Sequence, residues 1–153
     1  MLTIGDKAPD FTLPRDGGGT VSLSGLAPKK VVLYFYPKDD TPGCTTEALD
    51  FTRLADEFAA AGTVVVGLSK DSVKAHDKFC KKHGLGVILA SDEAGDTCER
   101  YGVWGEKKMY GRTFMGITRA TFLIDGTGRI ARIWPSVKVD GHAAEVLDAA
   151  RAL

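Results

Sequence analysis

The chain has 153 residues, of which 44% are hydrophobic and 26% charged, a balance typical of a globular protein and not of a disordered one. Its 20 basic and 20 acidic residues cancel, and adjacent lysines occur in nothing longer than pairs, so the sequence does not predict a nucleic-acid partner. Because it shows neither a secretory leader nor an apolar run long enough for a membrane span, we expect one cytoplasmic domain over residues 1–153 and no membrane partner.

The N-terminal part of the chain predicts a short β-hairpin followed by a core strand. Residues 11–13 and 21–23 alternate in polarity and are separated by Pro14 and the glycines at 17–19, which favour turns. Residues 31–36 are β-branched and aromatic, as in a buried strand.

Helices and strands alternate through the middle of the chain. Apolar residues at helical spacing predict a helix over 45–61, starting at Cys44 and stopped by Gly62. The elements expected next are a strand at 63–69, a helix at 71–83, a short strand at 87–90 and a helix at 93–101.

The C-terminal part predicts an antiparallel hairpin and a last helix. Residues 120–125 and 129–134 are strand-like and flank Asp125-Gly-Thr-Gly128, and a helix is expected from Gly141 onward. The whole order predicts an α/β fold in which helices flank a mixed central sheet, with an N-terminal β-hairpin, and it is compatible with a thioredoxin-like domain.

One of the three cysteines lies where reactivity is expected. An odd number of cysteines in a chain expected to be cytoplasmic does not predict a disulfide framework. Cys44 is placed where the loop after a strand enters a helix, and the N–H groups and dipole of a helix N-terminus stabilise a thiolate. The alternative is that Cys44 is a small buried hydrophobic residue.

The spacing around Cys44 resembles the active-site loop of the peroxiredoxins. Residues 37–44 read Pro-x-x-x-Thr-x-x-Cys, and the string Thr-Pro-Gly-Cys-Thr-Thr-Glu-Ala at 41–48, with the segments 101–106 and 116–125, resembles the bacterioferritin comigratory protein, or PrxQ, subfamily. The likeness spans nearly the whole chain. It implies a thioredoxin-like fold and an enzyme that reduces hydrogen peroxide and organic hydroperoxides without a metal, haem or flavin cofactor.

The resemblance implies catalytic roles for three residues. Cys44 would be the peroxidatic nucleophile and would become a sulfenic acid. Thr41 would present its hydroxyl beside the sulfur and the peroxide. Arg119 would stabilise the thiolate and the transition state by its permanent charge, the alternative being a surface charge at a strand edge.

Four further residues would support this loop. Pro37 and Pro42 would hold it and limit solvent, and the backbone N–H of Gly43 would add a donor beside that of the nucleophile. Glu47, one helical turn after the nucleophile, would orient the arginine, although a solvated carboxylate of the first turn is the alternative.

The resolving thiol is the next question. Many members of the subfamily carry a second cysteine five residues after the first, where this chain has Leu49, whereas some relatives place it on the helix after the second core strand, where this chain has Cys80. We therefore expect an intramolecular disulfide between Cys44 and Cys80, local unwinding of both helices, recycling by thioredoxin or a similar dithiol, and a monomer. Cys98 is expected to be a buried packing residue or, if Cys80 does not form the disulfide, to be the resolving thiol.

Other functions use the same residues. A thiol-disulfide oxidoreductase usually carries Cys-x-x-Cys, but residue 41 is threonine. A one-cysteine peroxidase or a peroxide sensor would not need Cys80. A zinc site could use His76, Cys80 and His83 on one helical face, but the outer two are about 10 Å apart along the axis, too far for one tetrahedral ion.

Overall fold

The computed structural model describes all 153 residues, Met1–Leu153. The strands are β1 (Thr12–Pro14), β2 (Thr20–Ser22), β3 (Lys30–Phe35), β4 (Thr63–Ser69), β5 (Ile88–Ser91), β6 (Trp104–Met109), β7 (Arg112–Ile117), β8 (Ala120–Ile124) and β9 (Ile130–Trp134). The helices are α1 (Leu23–Leu26), α2 (Pro42–Arg53), α3 (Ala55–Ala60), α4 (Val73–His83), α5 (Thr97–Arg100) and α6 (His142–Arg151). None of these helices is both long and apolar enough to cross a lipid bilayer.

A five-stranded mixed sheet in the order β5-β4-β3-β8-β9 forms the centre of the molecule. Strands β3, β4 and β5 run parallel, whereas β8 is antiparallel to β3 and β9 to β8. Every residue of β3 after Lys30 is buried, which suits a central strand covered on both faces. Strands β1 and β2 pair as the N-terminal hairpin. The predicted mixed sheet, flanking helices and hairpin are confirmed.

Each face of the sheet carries its own hydrophobic cluster. One cluster joins the sheet to the N-terminal hairpin, α1 and the segment at 98–103. The other joins it to helices α2, α3, α4 and α6. The loop between β3 and α2 therefore lies at one edge of the helical layer, next to α4.

The helix predicted over 45–61 is in fact two helices, α2 and α3, which meet at Leu54. The prediction that it starts at Cys44 was wrong, because Pro42 takes the first helical position with Thr41 as the N-cap. Proline loses nothing there, since its missing N–H would have no partner and its φ already suits a helix. Cys44 consequently lies inside the first turn.

Two other segments differ from the predictions. The helix expected over 93–101 is shortened to α5, because the carboxylate of Asp92 accepts the N–H groups of Thr97 and Cys98 and so sets a later start. The hairpin of β6 and β7 was not predicted, since most of its residues are exposed, its exposed positions mix charged with apolar side chains, and its strands pair only with each other. Its turn is formed by Tyr110 and Gly111, both at positive φ.

Candidate active site

The thiol of Cys44 lies buried at the N-terminus of α2. The first backbone hydrogen bond of this helix runs from the Thr45 N–H to the Thr41 carbonyl, 2.8 Å apart. The N–H groups of Gly43 and Cys44 therefore have no acceptor within the helix. The side of the helix that carries Cys44 faces the hydrophobic cluster between the sheet and helices α2, α3, α4 and α6, and the residue is only 1% exposed.

Arg119 contacts the Cys44 sulfur and a buried carboxylate at once. Its Nη2 donates to Cys44 Sγ at 3.3 Å, and its Nη1 donates to Glu47 Oε1 at 2.6 Å. Strand pairing explains this meeting of distant residues, because Ala120 of β8 lies opposite Phe35, the last residue of β3. The residue before Ala120 is thus brought beside the loop that follows β3. The structure brings together the predicted nucleophile, arginine and glutamate.

Glu47 is a carboxylate held in an environment that resists its ionisation. It is 1% exposed, and burial raises the pKa of its carboxyl to about 7, because the loss of hydration outweighs the attraction of the Arg119 guanidinium. Its second oxygen, Oε2, has no hydrogen-bond partner. Burial and the ion pair with Arg119 therefore act in opposite directions on the ionisation of this carboxyl.

The loop residues around Cys44 differ in burial and in hydrogen bonding. The Thr41 hydroxyl donates to the Lys38 carbonyl at 2.8 Å, so that its oxygen lone pairs remain able to accept a hydrogen bond. Pro37 is half-buried, whereas Pro42 is exposed and acts mainly as the first residue of the helix. Gly43 has little room for a side chain, since a Cβ there would lie 3.2 Å from Nη2 of the arginine.

Cys80 lies near the C-terminal end of α4, half-buried against the same hydrophobic cluster as Cys44. Burial, together with the nearby Asp16 carboxylate, raises the pKa of its thiol to about 12. Its carbonyl oxygen accepts the N–H groups of Gly84 and Leu85, which end the helix. All three cysteines are free thiols, and that of Cys80 is neutral and unreactive in this packed position.

Cys98 lies on the opposite face of the sheet. It belongs to the cluster that includes the N-terminal hairpin and is fully buried. Burial raises the pKa of its thiol well above the ordinary value. The central sheet separates it from the cluster that holds Cys44.

Sequence reasoning missed a buried pair behind the active-site loop. Asp39 Oδ2 lies 2.6 Å from His76 Nδ1, and the same histidine places Nε2 3.0 Å from the carbonyl oxygen of Ala90. The other carboxylate oxygen, Oδ1, accepts from the Tyr36 hydroxyl at 2.5 Å. Hydrogen bonding to Asp39 raises the pKa of His76 against the lowering effect of burial. The sequence offered one signal, a histidine in the first turn of the helix that packs beside the loop.

A second, exposed link connects the same loop to the end of α4. Asp40 accepts from Lys82 Nζ at 2.7 Å and lies 2.8 Å from His83 Nε2. Its backbone takes a positive φ of 60°, a conformation that aspartate tolerates better than most residues. The histidines considered as zinc ligands with Cys80 therefore pair with two different aspartates.

One group of side chains offers metal-ligand atoms close together. Atoms of Asp39, Asp71 and His76 lie within 4.8 Å of one another. These atoms are already engaged within the protein, since Asp71 Oδ2 accepts from the Asp39 N–H and from the Ser69 hydroxyl. These contacts hold the loop after β3 against α4.

Comparison with known proteins decides the family. Residues 4–133 match the model of the AhpC/TSA family. The chain is a peroxiredoxin of the AhpC/TSA family. The putative peroxiredoxin bcp of Coxiella burnetii is 54% identical over 146 residues, which cover 95% of this chain and 97% of the relative. Peroxiredoxin Bcp of Bacillus subtilis is 49% identical over 146 residues, covering 95% and 93%.

Solved peroxiredoxin structures agree with this result. A cysteine variant of Xylella fastidiosa PrxQ superimposes with a TM-score of 0.94 at 43% identity, covering 99% of this chain and 97% of the other. The bacterioferritin comigratory protein of Xanthomonas campestris gives 0.90 at 44% identity, with the same coverage of 99% and 97%. The predicted subfamily and thioredoxin-like fold are confirmed. This peroxiredoxin is a thiol-dependent peroxidase, and its reaction requires a peroxide and a thiol reductant.

Proposed function

We propose that this peroxiredoxin reduces hydrogen peroxide and organic hydroperoxides through Cys44, that Cys80 resolves the oxidised sulfur, and that thioredoxin or a similar dithiol restores both thiols. The observation that carries the choice of nucleophile is the Arg119 guanidinium 3.3 Å from Cys44 Sγ, at the N-terminus of a helix. Cys80 lies near the C-terminal end of its helix. Cys98 lies in the first turn of the short helix α5, but there burial and the Asp92 carboxylate, which accepts the Cys98 N–H, raise the pKa of its thiol.

The first chemical step is an in-line attack of the Cys44 thiolate on one oxygen of the hydroperoxide. The O–O bond breaks, the sulfur becomes a sulfenic acid, and the departing oxygen takes a proton to leave as water or an alcohol. Arg119 and the free N–H groups of Gly43 and Cys44 can stabilise the charge that develops on the oxygens. The Thr41 oxygen can accept a hydrogen bond from the O–H of the hydroperoxide, because its own hydrogen is donated to the Lys38 carbonyl.

Glu47 supports this step through the arginine. Its short contact with Nη1 fixes the plane of the guanidinium, so that Nη2 points to the sulfur. Pro37 limits access of water to the loop, and Pro42 sets the start of the helix. We regard Glu47 as a positioning residue, because it contacts the arginine and not the thiol.

The second step forms a disulfide between Cys44 and Cys80 with release of water. Both residues belong to the same hydrophobic cluster on one face of the sheet, whereas Cys98 lies on the other face. Two solved structures of Xanthomonas campestris peroxiredoxin Q are variants of two cysteines that are spaced as Cys44 and Cys80 are. Since a thiol must ionise to attack, and since burial holds the Cys80 pKa near 12, α4 has to open locally before this step.

An intramolecular resolving thiol requires no second chain, so we propose that the peroxidase works as a monomer. Thioredoxin then attacks the exposed disulfide and returns the enzyme to its reduced state in a thiol-disulfide exchange. A peroxide sensor would instead be oxidised once, without repeated turnover, and would pass the signal to a partner protein.

A thioredoxin-coupled peroxide assay tests the whole cycle. The wild type is compared with Cys44→Ser, Cys80→Ser and Cys98→Ser, the last being a matched control on the opposite face of the sheet. We expect many turnovers in the wild type and in Cys98→Ser, no peroxidase activity in Cys44→Ser, and rapid sulfenic acid formation without thioredoxin-dependent turnover in Cys80→Ser.

Peptide mapping of the oxidised wild type under non-reducing conditions completes the test. A Cys44–Cys80 linkage is expected. Full thioredoxin-dependent turnover of Cys80→Ser, or a linkage to Cys98, would show that Cys80 is not the resolving thiol, and activity in Cys44→Ser would refute the choice of nucleophile.

A further inference from the structure

The two hydrogen-bond contacts of the buried His76 ring indicate its protonation state. The Ala90 carbonyl can only accept, so Nε2 of His76 carries a proton. A neutral imidazole would then present an unprotonated Nδ1 to the carboxylate of Asp39, 2.6 Å away. Both contacts are favourable together when the histidine is a cation, and the raised pKa of His76 agrees with this.

This pair joins the two segments that the catalytic cycle must move. Asp39 belongs to the loop that leads into α2 and Cys44, and His76 belongs to α4, which carries Cys80. His76 is fully buried, so water cannot replace a lost partner. The exposed link through Asp40 connects the same two segments but contributes less, because solvent screens it.

We propose that the Asp39–His76 pair positions the loop that carries Cys44 and couples the opening of that loop to the opening of helix α4. This inference rests on the proposed role of Cys80 in the second step. It assigns to Asp39 and His76 a function in the peroxidase cycle, namely that the peroxidatic and resolving segments leave their packed positions together.

The two openings are coupled because moving one segment alone leaves the buried His76 side chain without its aspartate partner. When the loop alone opens and withdraws Asp39, His76 keeps either a charge whose only remaining carboxylate neighbour is Asp71 or, after losing its proton, an Nδ1 whose only hydrogen-bonding neighbour is the Tyr36 hydroxyl at a long 3.5 Å. Both states are costly in a site with no solvent exposure, and both are relieved when α4 opens as well. By thermodynamic reciprocity, opening of α4 must favour opening of the loop to the same extent.

Amide hydrogen exchange of the reduced, full-length protein tests the coupling through its effect on the segment that is not mutated. Asp39→Asn removes the charge on the loop, and His76→Gln keeps a donor for the Ala90 carbonyl but loses the partner of Asp39. The control is Asp77→Asn, which removes a charge on α4 away from the loop and keeps an amide oxygen that can accept from the Gly17 N–H, 2.8 Å from Asp77 Oδ1. A charge-assisted hydrogen bond is at stake, so we expect about tenfold faster exchange.

The expected pattern is reciprocal. His76→Gln accelerates exchange in the loop and first turn of α2, Asp39→Asn accelerates exchange in α4, and the double variant matches either single variant. Asp77→Asn leaves the loop as in the wild type. Loop exchange that stays at the wild-type level in folded His76→Gln, or effects of the two substitutions that simply add, would overturn the proposal.

A chemical readout follows the same opening in the oxidised enzyme. A sulfenic acid that stays packed remains exposed to a second peroxide, which oxidises it to a sulfinic acid. We expect Asp39→Asn to form the disulfide faster than Asp77→Asn and to give less sulfinic Cys44 per turnover, because both carboxylates raise the pKa of Cys80 but only Asp39 holds the loop against α4. A sulfinic fraction in Asp39→Asn equal to that of the wild type would contradict the coupling. Because hydrogen exchange is measured on the reduced protein, failure of Cys80 as the resolving thiol would be recognised separately by peptide mapping.

Discussion

Replacing Arg119 with methionine removes the cation that contacts the Cys44 sulfur and keeps a side chain of similar length. The donor lies 3.3 Å from Sγ, and the arginine side chain is only 17% exposed, so solvent screens the contact weakly. A hydrogen bond to a charged group contributes about 1.5–3 kcal/mol. That range corresponds to a loss of roughly 10- to 150-fold in kcat/KM for peroxide, since each tenfold change is about 1.4 kcal/mol.

The same substitution leaves Glu47 buried without its cation, and a second variant separates the two effects. In the double variant Arg119→Met with Glu47→Gln, the carboxylate that needs compensation is gone. If the arginine acts on the thiolate and the transition state, the double variant remains as slow as the single one. If the arginine serves only to compensate the carboxylate, the double variant recovers the wild-type rate.

The rate of sulfenic acid formation in a single turnover is the measurement that suits this test, because it does not depend on thioredoxin. Arg132→Met is the matched control, since Arg132 is half-exposed and pairs with Glu145 away from the thiol. We expect the control to react as the wild type does. A wild-type rate constant in Arg119→Met, or recovery in the double variant, would refute the assigned role.

Two further predictions concern a glycine and a histidine. Gly43→Ala brings a Cβ within 3.2 Å of Nη2 of Arg119, so kcat/KM for peroxide should fall by several-fold. The urea midpoint should stay equal or rise, because alanine favours helix over glycine by about 0.5–1 kcal/mol. Unchanged kinetics would show that the guanidinium tolerates the shift. Asp39 and Asp71 raise the pKa of His76 in the folded protein. The folding free energy gained from this interaction is therefore complete below the pKa of the unfolded histidine, about 6.5, and is lost as pH rises through the folded-state pKa. The excess unfolding free energy of the wild type over Asp39→Asn, measured by urea titration, should therefore shrink with rising pH, and a difference that grows would contradict the imidazolium.

The sequence predicted the central strands well and the less regular elements poorly, for a physical reason. Strand β4 has the predicted bounds because it is a long β-branched run in the middle of the sheet, where burial and intrinsic preference agree. The hairpin of β6 and β7 was missed because its largely exposed strands lie outside the central sheet, where burial does not reinforce strand preference. The break between α2 and α3 at Leu54 was missed because the apolar spacing continues across it.

The active-site loop shows what local chemistry can specify. Turn-forming residues, a proline at the first helical position and a cysteine within the first turn all act on near neighbours in the chain. Cys44 and the start of its helix could therefore be placed to within two residues from the sequence. The family resemblance, also carried by the sequence, indicated Arg119, and helical spacing from Cys44 indicated Glu47.

Contacts between distant segments could be decided only by the tertiary structure. The pairing of β3 with β8 places Arg119 beside the sulfur, and packing of α4 against the loop turns His76 from a possible metal ligand into the partner of Asp39. The raised pKa of Glu47 is of the same kind, because it depends on how completely the fold excludes water from the carboxyl. Sequence by itself determined the central strands and the position of the loop that carries Cys44, since these follow from neighbouring residues. Tertiary structure decided the charges around that loop, because burial and long-range pairing belong to the folded chain as a whole.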